Sequence, residues 1–319
     1  MDKRKLLIIS GKRDPWVTPT DIPASEAAVL RDFYNKTGGA SWTNNTNWGK
    51  TNTASSWYGI TLKSGHVQIM NLSNNHLVGN ITGWNLGALT AIEDIYFQTN
   101  TSLTGDISTW TFSNLFENVQ IYNTGLSGDI SGWIWPNTVV AIKLYNSSVS
   151  GDISRWVLPS SLQHIVLNTT SVSGDISGWV LPGGALFATF EIAETGVSGN
   201  ISSWVIPVGL KYFYLFSTLL TGSPIFSSSV AIEEILAHSC GTNHIMTQAD
   251  VDTWVSKIYA RRASFTHSTP VLYLHGTNSA PSGTYADEDP PTTGKGFIYK
   301  LKNDPEAEGF YKWTINYNA

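Results

Sequence analysis

The phrase GLSGDISGW at residues 125–133 returns almost letter for letter along the chain. It reads SLTGDISTW from Ser102, SVSGDISRW from Ser148, SVSGDISGW from Ser171 and GVSGNISSW from Gly196, with a weaker copy, HLVGNITGW, from His76. Its glycine falls at Gly79, Gly105, Gly128, Gly151, Gly174 and Gly199, and again at Gly222 in LTGSPIF, in steps of 26, 23, 23, 23, 25 and 23 residues. A unit of this length cannot bury its own apolar edge. Stacking the units gives one continuous core, so a solenoid is predicted.

Upstream of each phrase the apolar residues are spaced L-x-x-L-x-L. The triplets are Val67/Met70/Leu72, Ile92/Ile95/Phe97, Phe116/Val119/Ile121, Val139/Ile142/Leu144, Leu162/Ile165/Leu167, Phe187/Phe190/Ile192 and Leu210/Phe213/Leu215, with a less regular eighth at Ile232/Ile235/Ala237. Three residues beyond each triplet stands Asn75, Asn100, Thr124, Ser147, Thr170, Thr195, Thr218 or Cys240. The alternation predicts a short parallel strand with its apolar residues inward. The small residue after it turns the chain and bonds nearby backbone groups.

This pattern resembles the leucine-rich repeat family, and LSGDIS resembles the L-x-G-x-I-P phrase of its plant-like subtype, with Ser in place of Pro. SEAAVLRDFYNKTGGASWTNNTNW followed by SSWYGIT is similar to the helical, Trp-rich cap that opens such domains, without the cysteines of secreted plant members. MTQADVDTWVSKIYARR predicts a helix with Thr247 as N-cap and Asp250 completing a capping box. VLYLHG and YKWTINY read as two further strands. Together they resemble the closing cap of bacterial and phage leucine-rich repeat proteins. The expected fold is thus an α/β repeat solenoid of about eight repeats, with a parallel sheet on its concave face and a cap at each end. A right-handed parallel β-helix is the alternative. The expected divisions are an extended arm at 1–24, an N-terminal cap at 25–65, repeats at 66–245 and a C-terminal cap at 246–319.

Charged residues make up 13% of the 319, about half the usual share. A net charge of −5 with 19 Lys plus Arg offers no electrostatic footprint for nucleic acid. No apolar stretch approaches the roughly 20 residues of a membrane span. In MDKRKLLIISGKR the run LLII is shorter than the apolar region of a signal peptide, so no export signal is expected. One cysteine, Cys240, excludes an intrachain disulfide.

Residues that recur in every coil are scaffold, so Trp84, Trp110, Trp133, Trp156, Trp179 and Trp204 are expected to stack in the core. The column Asp106, Asp129, Asp152 and Asp175, flanked by Asn80 and Asn200, is expected to cap its own turns and stay solvated. A weak calcium site bridging those carboxylates is the alternative. Non-repeating positions of the concave sheet are free for recognition. They are Tyr96, Tyr122, Lys143, Tyr145, His164, Glu191, Glu194, Tyr212, Tyr214 and Phe216, with His238, and tyrosine suits such a surface.

No catalytic motif is present. PTTGKGF at Pro291 lacks the leading glycine and following hydroxyl of a phosphate loop and is expected to be a surface turn. His238, Cys240 and His244 could be read as metal ligands, but Cys240 already has a place in the repeat. Glu191 and Glu194 are the pair that a glycan-cleaving enzyme would use. Of eight N-x-[ST] matches, several follow from repeat positions that demand Asn and a small polar residue, and no glycoprotein is read from them. In the arm, Lys3, Arg4, Lys5, Leu6, Leu7, Ile8 and Ile9 are expected to order on a partner, adding a strand to an exposed edge. The expected function is non-enzymatic binding without a cofactor. The setting is a phage virion, with a capsid or tail protein as partner; a cell-surface or secreted recognition protein for protein or glycan ligands is the alternative.

Overall fold

The computed structural model describes residues 16–237, 246–303 and 311–318. Each of the eight triplets forms a strand: His66–Asn71, Asp94–Tyr96, Asn118–Gln120, Ala141–Lys143, His164–Val166, Thr189–Glu191, Tyr212–Tyr214 and Glu234–Leu236. They pair in that order, all parallel, within an eleven-stranded sheet. The register is constant from coil to coil. Met70, Ile95, Val119, Ile142, Ile165, Phe190, Phe213 and Ile235 are successive partners, and every one is fully buried. This long sheet is the expected concave sheet of a leucine-rich-repeat-like solenoid.

The repeated phrase does more than turn the chain. Gly79–Asn80, Leu103–Asp106, Gly125–Asp129, Ser148–Asp152, Ser171–Asp175, Gly196–Asn200 and Leu219–Thr221 form a second parallel sheet of seven strands. Leu103, Leu126, Val149, Val172 and Val197 point inward and are fully buried, while their neighbours face out. Among the described residues no α-helix interrupts the repeats. Two strands per coil is also the layout of a parallel β-helix, so that alternative describes the same coil.

Glycine and aspartate in the phrase serve one purpose. Gly105, Gly128, Gly151, Gly174 and Gly199 have φ between +111° and +135°. A Cβ on Gly151 would lie 2.1 Å from Oδ1 of Asp129 in the preceding coil. The missing side chain is the space into which the previous carboxylate folds. There the Asp106, Asp129, Asp152 and Asp175 carboxylates accept the backbone N–H of the serine two residues on, at 2.8–2.9 Å. Hydrogen bonds from that serine hold all four carboxyls below their ordinary range. Asn80 and Asn200 accept the same bond at 2.8 and 2.9 Å.

The tryptophan column is buried, as expected of scaffold. Trp110 stacks on Trp133 and Trp156 on Trp179, at 6.3 and 6.5 Å between ring centroids. The stack is not continuous, because Trp135 inserts edge-on between Trp133 and Trp156. Turn residues close each coil by two means. Asn100 spans coils, taking the N–H groups of Asn75 and Leu77 and donating to Leu72 and Phe97 carbonyls. Thr124, Ser147, Thr170, Thr195 and Thr218 donate to the carbonyl three residues back in their own coil, and Thr124 also accepts from Leu126 N at 3.4 Å.

At the first edge stand helix α1 (Ala24–Lys36) and a strand, Ile60–Lys63, that pairs antiparallel with the first repeat strand. The helix's buried Glu26 accepts from Val67 N and pairs with His66 Nδ1, tying the cap to the first coil. Residues 16–23 belong to this cap rather than to an arm: Trp16 packs edge-on against Trp57 at 5.3 Å, and Ile22 is buried. At the other edge α2 (Gln248–Ala260) opens on the Thr247–Asp250 capping box, and Val271–Tyr273 and Thr314–Asn316 extend the long sheet. The PTTGKGF segment is no surface turn. Its Gly294 begins helix α3 (Gly294–Asn303), which two glycines and a lysine-rich face concealed in the sequence.

Gly151→Ala should cost about 2–4 kcal/mol, from the left-handed backbone and the displaced Asp129 carboxylate together. Urea denaturation checks it; a loss under about 0.5 kcal/mol, the size of an ordinary surface change, contradicts the nested geometry. The four lowered carboxyls supply stability that is present above the unfolded value of about 3.9 and is lost as pH falls through the folded values. An Asp129→Asn, Asp152→Asn, Asp175→Asn protein keeps the bond that Asn80 and Asn200 make. Its melting temperature should therefore fall less than wild type between about pH 4 and about pH 2, as read by circular dichroism.

Candidate functional site

Outward-facing side chains on the long sheet form three rows that run across the coils. In the middle coils the rows hold a cavity of about 510 Å³ lined by Tyr122, Lys143, Tyr145, His164, Val166, Asn168, Thr189, Glu191 and Tyr212. It exists because side-chain size changes from coil to coil. Val166 occupies, one coil on, the place of Lys143, and Glu191 occupies it on the next. A short floor residue between two long ones leaves a hollow.

Tyr122 and Tyr145 stack face to face at 4.3 Å and 10°, forming one wall. Burial, then Tyr122, pushes the Tyr145 hydroxyl up to about 12, so it stays a neutral donor. His164 Nδ1 meets Thr189 Oγ1 at 3.0 Å, and burial with nearby Lys143 holds its pKa below the ordinary value, favouring the uncharged ring. Asn168 donates to Glu191 at 2.8 Å. Burial pushes the Glu191 carboxyl up, against the opposing effects of Asn168 and Lys143. Among the described residues no carboxylate pairs with the Lys143 ammonium. On the opposite wall, the Tyr212 hydroxyl donates to Glu233 at 2.7 Å, and Lys211 pairs with the same carboxylate at 2.9 Å.

The structure therefore brings six of the expected recognition residues together: Tyr122, Lys143, Tyr145, His164, Glu191 and Tyr212. Tyr96 stands apart on an early coil, where burial and Asp94 push its pKa up to about 12. Tyr214 donates to Glu234 beside the cavity. Glu194 sits on the turn with φ +56° and accepts from Thr169. Its hydrogen bond is separate from that of Glu191, which accepts from Asn168. Phe216 follows Tyr214 on the same coil, outside the cavity lining. His238, Cys240 and His244 lie outside the described residues, as do Lys3, Arg4, Lys5, Leu6, Leu7, Ile8 and Ile9.

Val166, Asn168 and Thr189 were missed. No residue type marks them; only aligning the triplets shows that Val166 falls between Lys143 and Glu191. For the Asp column, the carboxylates are engaged in their turns, and among the described residues no group of three or more His, Cys, Asp or Glu is arranged to hold a metal ion.

A second surface carries a row the repeat did not advertise. From Trp110 onward the residue after each Trp of the column is Thr111, Ile134, Val157, Val180 and Val205, and Ile225 pairs with Val205 on the next coil. Ile134 is 84% exposed and Val157 and Val180 are 81%, so this is an open β-branched strip and not core. No helix among the described residues is long and apolar enough to cross a membrane.

No protein-family profile and no curated protein matches the chain. Solved structures of similar shape include the crystal structure of a plant ice-binding protein, at 13% identity and TM-score 0.39, covering 78% of this chain and 97% of that one. The BIR2 ectodomain of Arabidopsis thaliana matches at 18% identity and TM-score 0.31, covering 59% of this chain and 88% of that one. The leucine-rich repeat ectodomain of the Arabidopsis thaliana receptor kinase GASSHO1/SCHENGEN3, in complex with CASPARIAN STRIP INTEGRITY FACTOR 2, matches at 14% identity and TM-score 0.38, covering 80% of this chain and 36% of that one.

Proposed function

We propose that the protein is a non-catalytic recognition scaffold of the plant-like leucine-rich repeat type, which holds a protein segment in the Tyr145–Tyr212 cavity. One observation carries this reading. The recurring Trp, Gly, Asp and inward apolar side chains are used up by the scaffold, and six non-recurring ones meet in one hollow with an aromatic wall, a cation that no carboxylate pairs among the described residues and a half-buried carboxylate. Such a hollow offers large apolar area at low entropy cost together with polar groups that fix orientation.

A peptide-display library and a glycan array, both probed with the full chain, test the ligand class. Binding should be lost by thirtyfold or more in Tyr145→Ala with Tyr212→Ala, the size expected when buried aromatic anchors are truncated. The same variant should keep its melting profile. Unchanged binding by that variant places the ligand elsewhere and ends this reading; glycans captured in place of peptides would change the ligand class.

For setting, we propose a phage virion accessory, lying on a capsid or tail protein. Support comes from the exposed strip at Ile134, Val157 and Val180, which lies off the long sheet and so leaves the cavity presented to solvent when covered. Ile134→Lys, Val157→Lys and Val180→Lys together should abolish incorporation into particles while leaving cavity binding intact. Particles carrying wild-type amounts of this variant would rule out attachment through the strip.

A further inference from the structure

The two ends of the cavity differ in sign. Its floor and ends lie in one row of the long sheet: Lys143 on the fourth repeat strand, Val166 on the fifth and Glu191 on the sixth. A cation and a carboxylate thus flank a buried valine, two strand spacings or about 9.6 Å apart at the backbone. Burial raises the Glu191 carboxyl while Asn168 and Lys143 act against it, yet no ion pair joins the lysine to the glutamate.

Asn168 keeps the two apart. Its side-chain carbonyl accepts the backbone N–H of Ala193 at 2.8 Å, which turns its amide nitrogen to donate to Glu191 Oε2 at 2.8 Å. Anchored through that oxygen, the carboxylate keeps Oε1 for another donor. His164 does not cancel the difference in charge, because burial, then Lys143, holds its pKa below the ordinary value and favours the neutral ring. Each charged end therefore retains hydrogen-bonding capacity within the hollow that it lines.

The interval selects a kind of chain. In a β-strand, residues two apart on one face stand only about 6.6 Å apart, short of the two-rung step. A polyproline II segment rises ~3.1 Å per residue with three residues per turn, so residues three apart share an edge and stand about 9.3 Å apart. That edge matches the step from Lys143 to Glu191 to within about 0.3 Å. Segments of this kind dock in aromatic-lined grooves. Here Tyr122 stacked on Tyr145 forms one wall and Tyr212 stands on the other.

We propose that the cavity selects its ligand by charge order. An extended, three-per-turn peptide segment crosses the strands with an acidic side chain at Lys143, a basic side chain three residues away at Glu191, and the residues between them over Val166. The proposal rests on the cavity being the recognition site and specifies what that site accepts. Because the ends differ in sign, the same segment with its charges exchanged sets cation against cation and carboxylate against carboxylate, a repulsive element that excludes it.

Three fluorescent peptides with blocked ends test this, each a run of proline interrupted once: by Glu-Pro-Pro-Lys, by Lys-Pro-Pro-Glu, or by Gln-Pro-Pro-Gln. One of the two charged peptides should bind the full chain at least about tenfold more tightly than the other two, the size of a lost hydrogen bond to a charged group. Lys143→Gln and Glu191→Gln, the second of which keeps an acceptor for Asn168, should each reduce that preference to under about threefold. A Lys143→Glu, Glu191→Lys protein should invert it, which a merely structural role for the two residues would not do. Equal binding of the charged peptides, or binding of neither above the neutral one, overturns the proposal. The Tyr145→Ala, Tyr212→Ala protein separates the two claims. A ligand of any class that this protein loses, and that the Lys143→Gln and Glu191→Gln proteins hold unchanged, keeps the cavity as the recognition site and removes its charge order.

Discussion

Parallel pairing of one coil with the next is the interaction on which everything else in this molecule depends. A single coil of about 23 residues has its apolar side chains at its edges, where water reaches them from both neighbours' places. Only stacking removes that surface, at about 25 cal/mol per Å². Pairing on the long sheet and on the shorter phrase sheet fixes each coil at two points, so the register cannot slip on one side alone. The ends carry the remaining burden. Buried Glu26 satisfies the Val67 N–H on the first coil, and two strands with two helices cover the last. Without such covers the terminal coils would present unpaired strand edges.

The repeated phrase follows from the same constraint. Coils only ~4.8 Å apart leave no room for a side chain where one turn crosses over another. Glycine clears that place, and the aspartate of the coil before fills it with a carboxylate that caps its own turn. Two columns that look independent in the sequence are therefore one joint, repeated. The same logic explains why Asn stands for Asp at both ends of the column: the joint requires an acceptor oxygen, and charge is incidental to it.

Periodicity made the scaffold legible, because burial in a stacked coil admits few residue types at a fixed spacing. The eight triplets, the opening helix and the Thr247 capping box all carried such marks. The second sheet did not: an inward Leu or Val flanked by Ser and Gly is too short an alternation to distinguish from a bend. Helix α3 was hidden by Gly294 and Gly296, which suppress helical propensity. The insertion of Trp135 also escaped, since tertiary packing alone decides which indole enters a gap. Of the cavity, the large members were recognisable because they broke the repeat. Val166, Asn168 and Thr189 were not, for a floor is defined by what it lacks.

Partition between recurring and free positions also governs how rigid the cavity is. Its polar groups are linked across coils rather than within them: His164 to Thr189, Asn168 to Glu191, Tyr212 to Glu233. Each link joins neighbouring rungs whose separation the backbone ladder has already set. The side chains are thereby held in place before any ligand arrives, which lowers the ordering cost of binding. A ligand that spans several rungs therefore meets a surface whose spacing it cannot adjust. Selection among ligands then falls to the intervals between groups, set by strand pairing, and to the few outward side chains that the scaffold leaves unassigned.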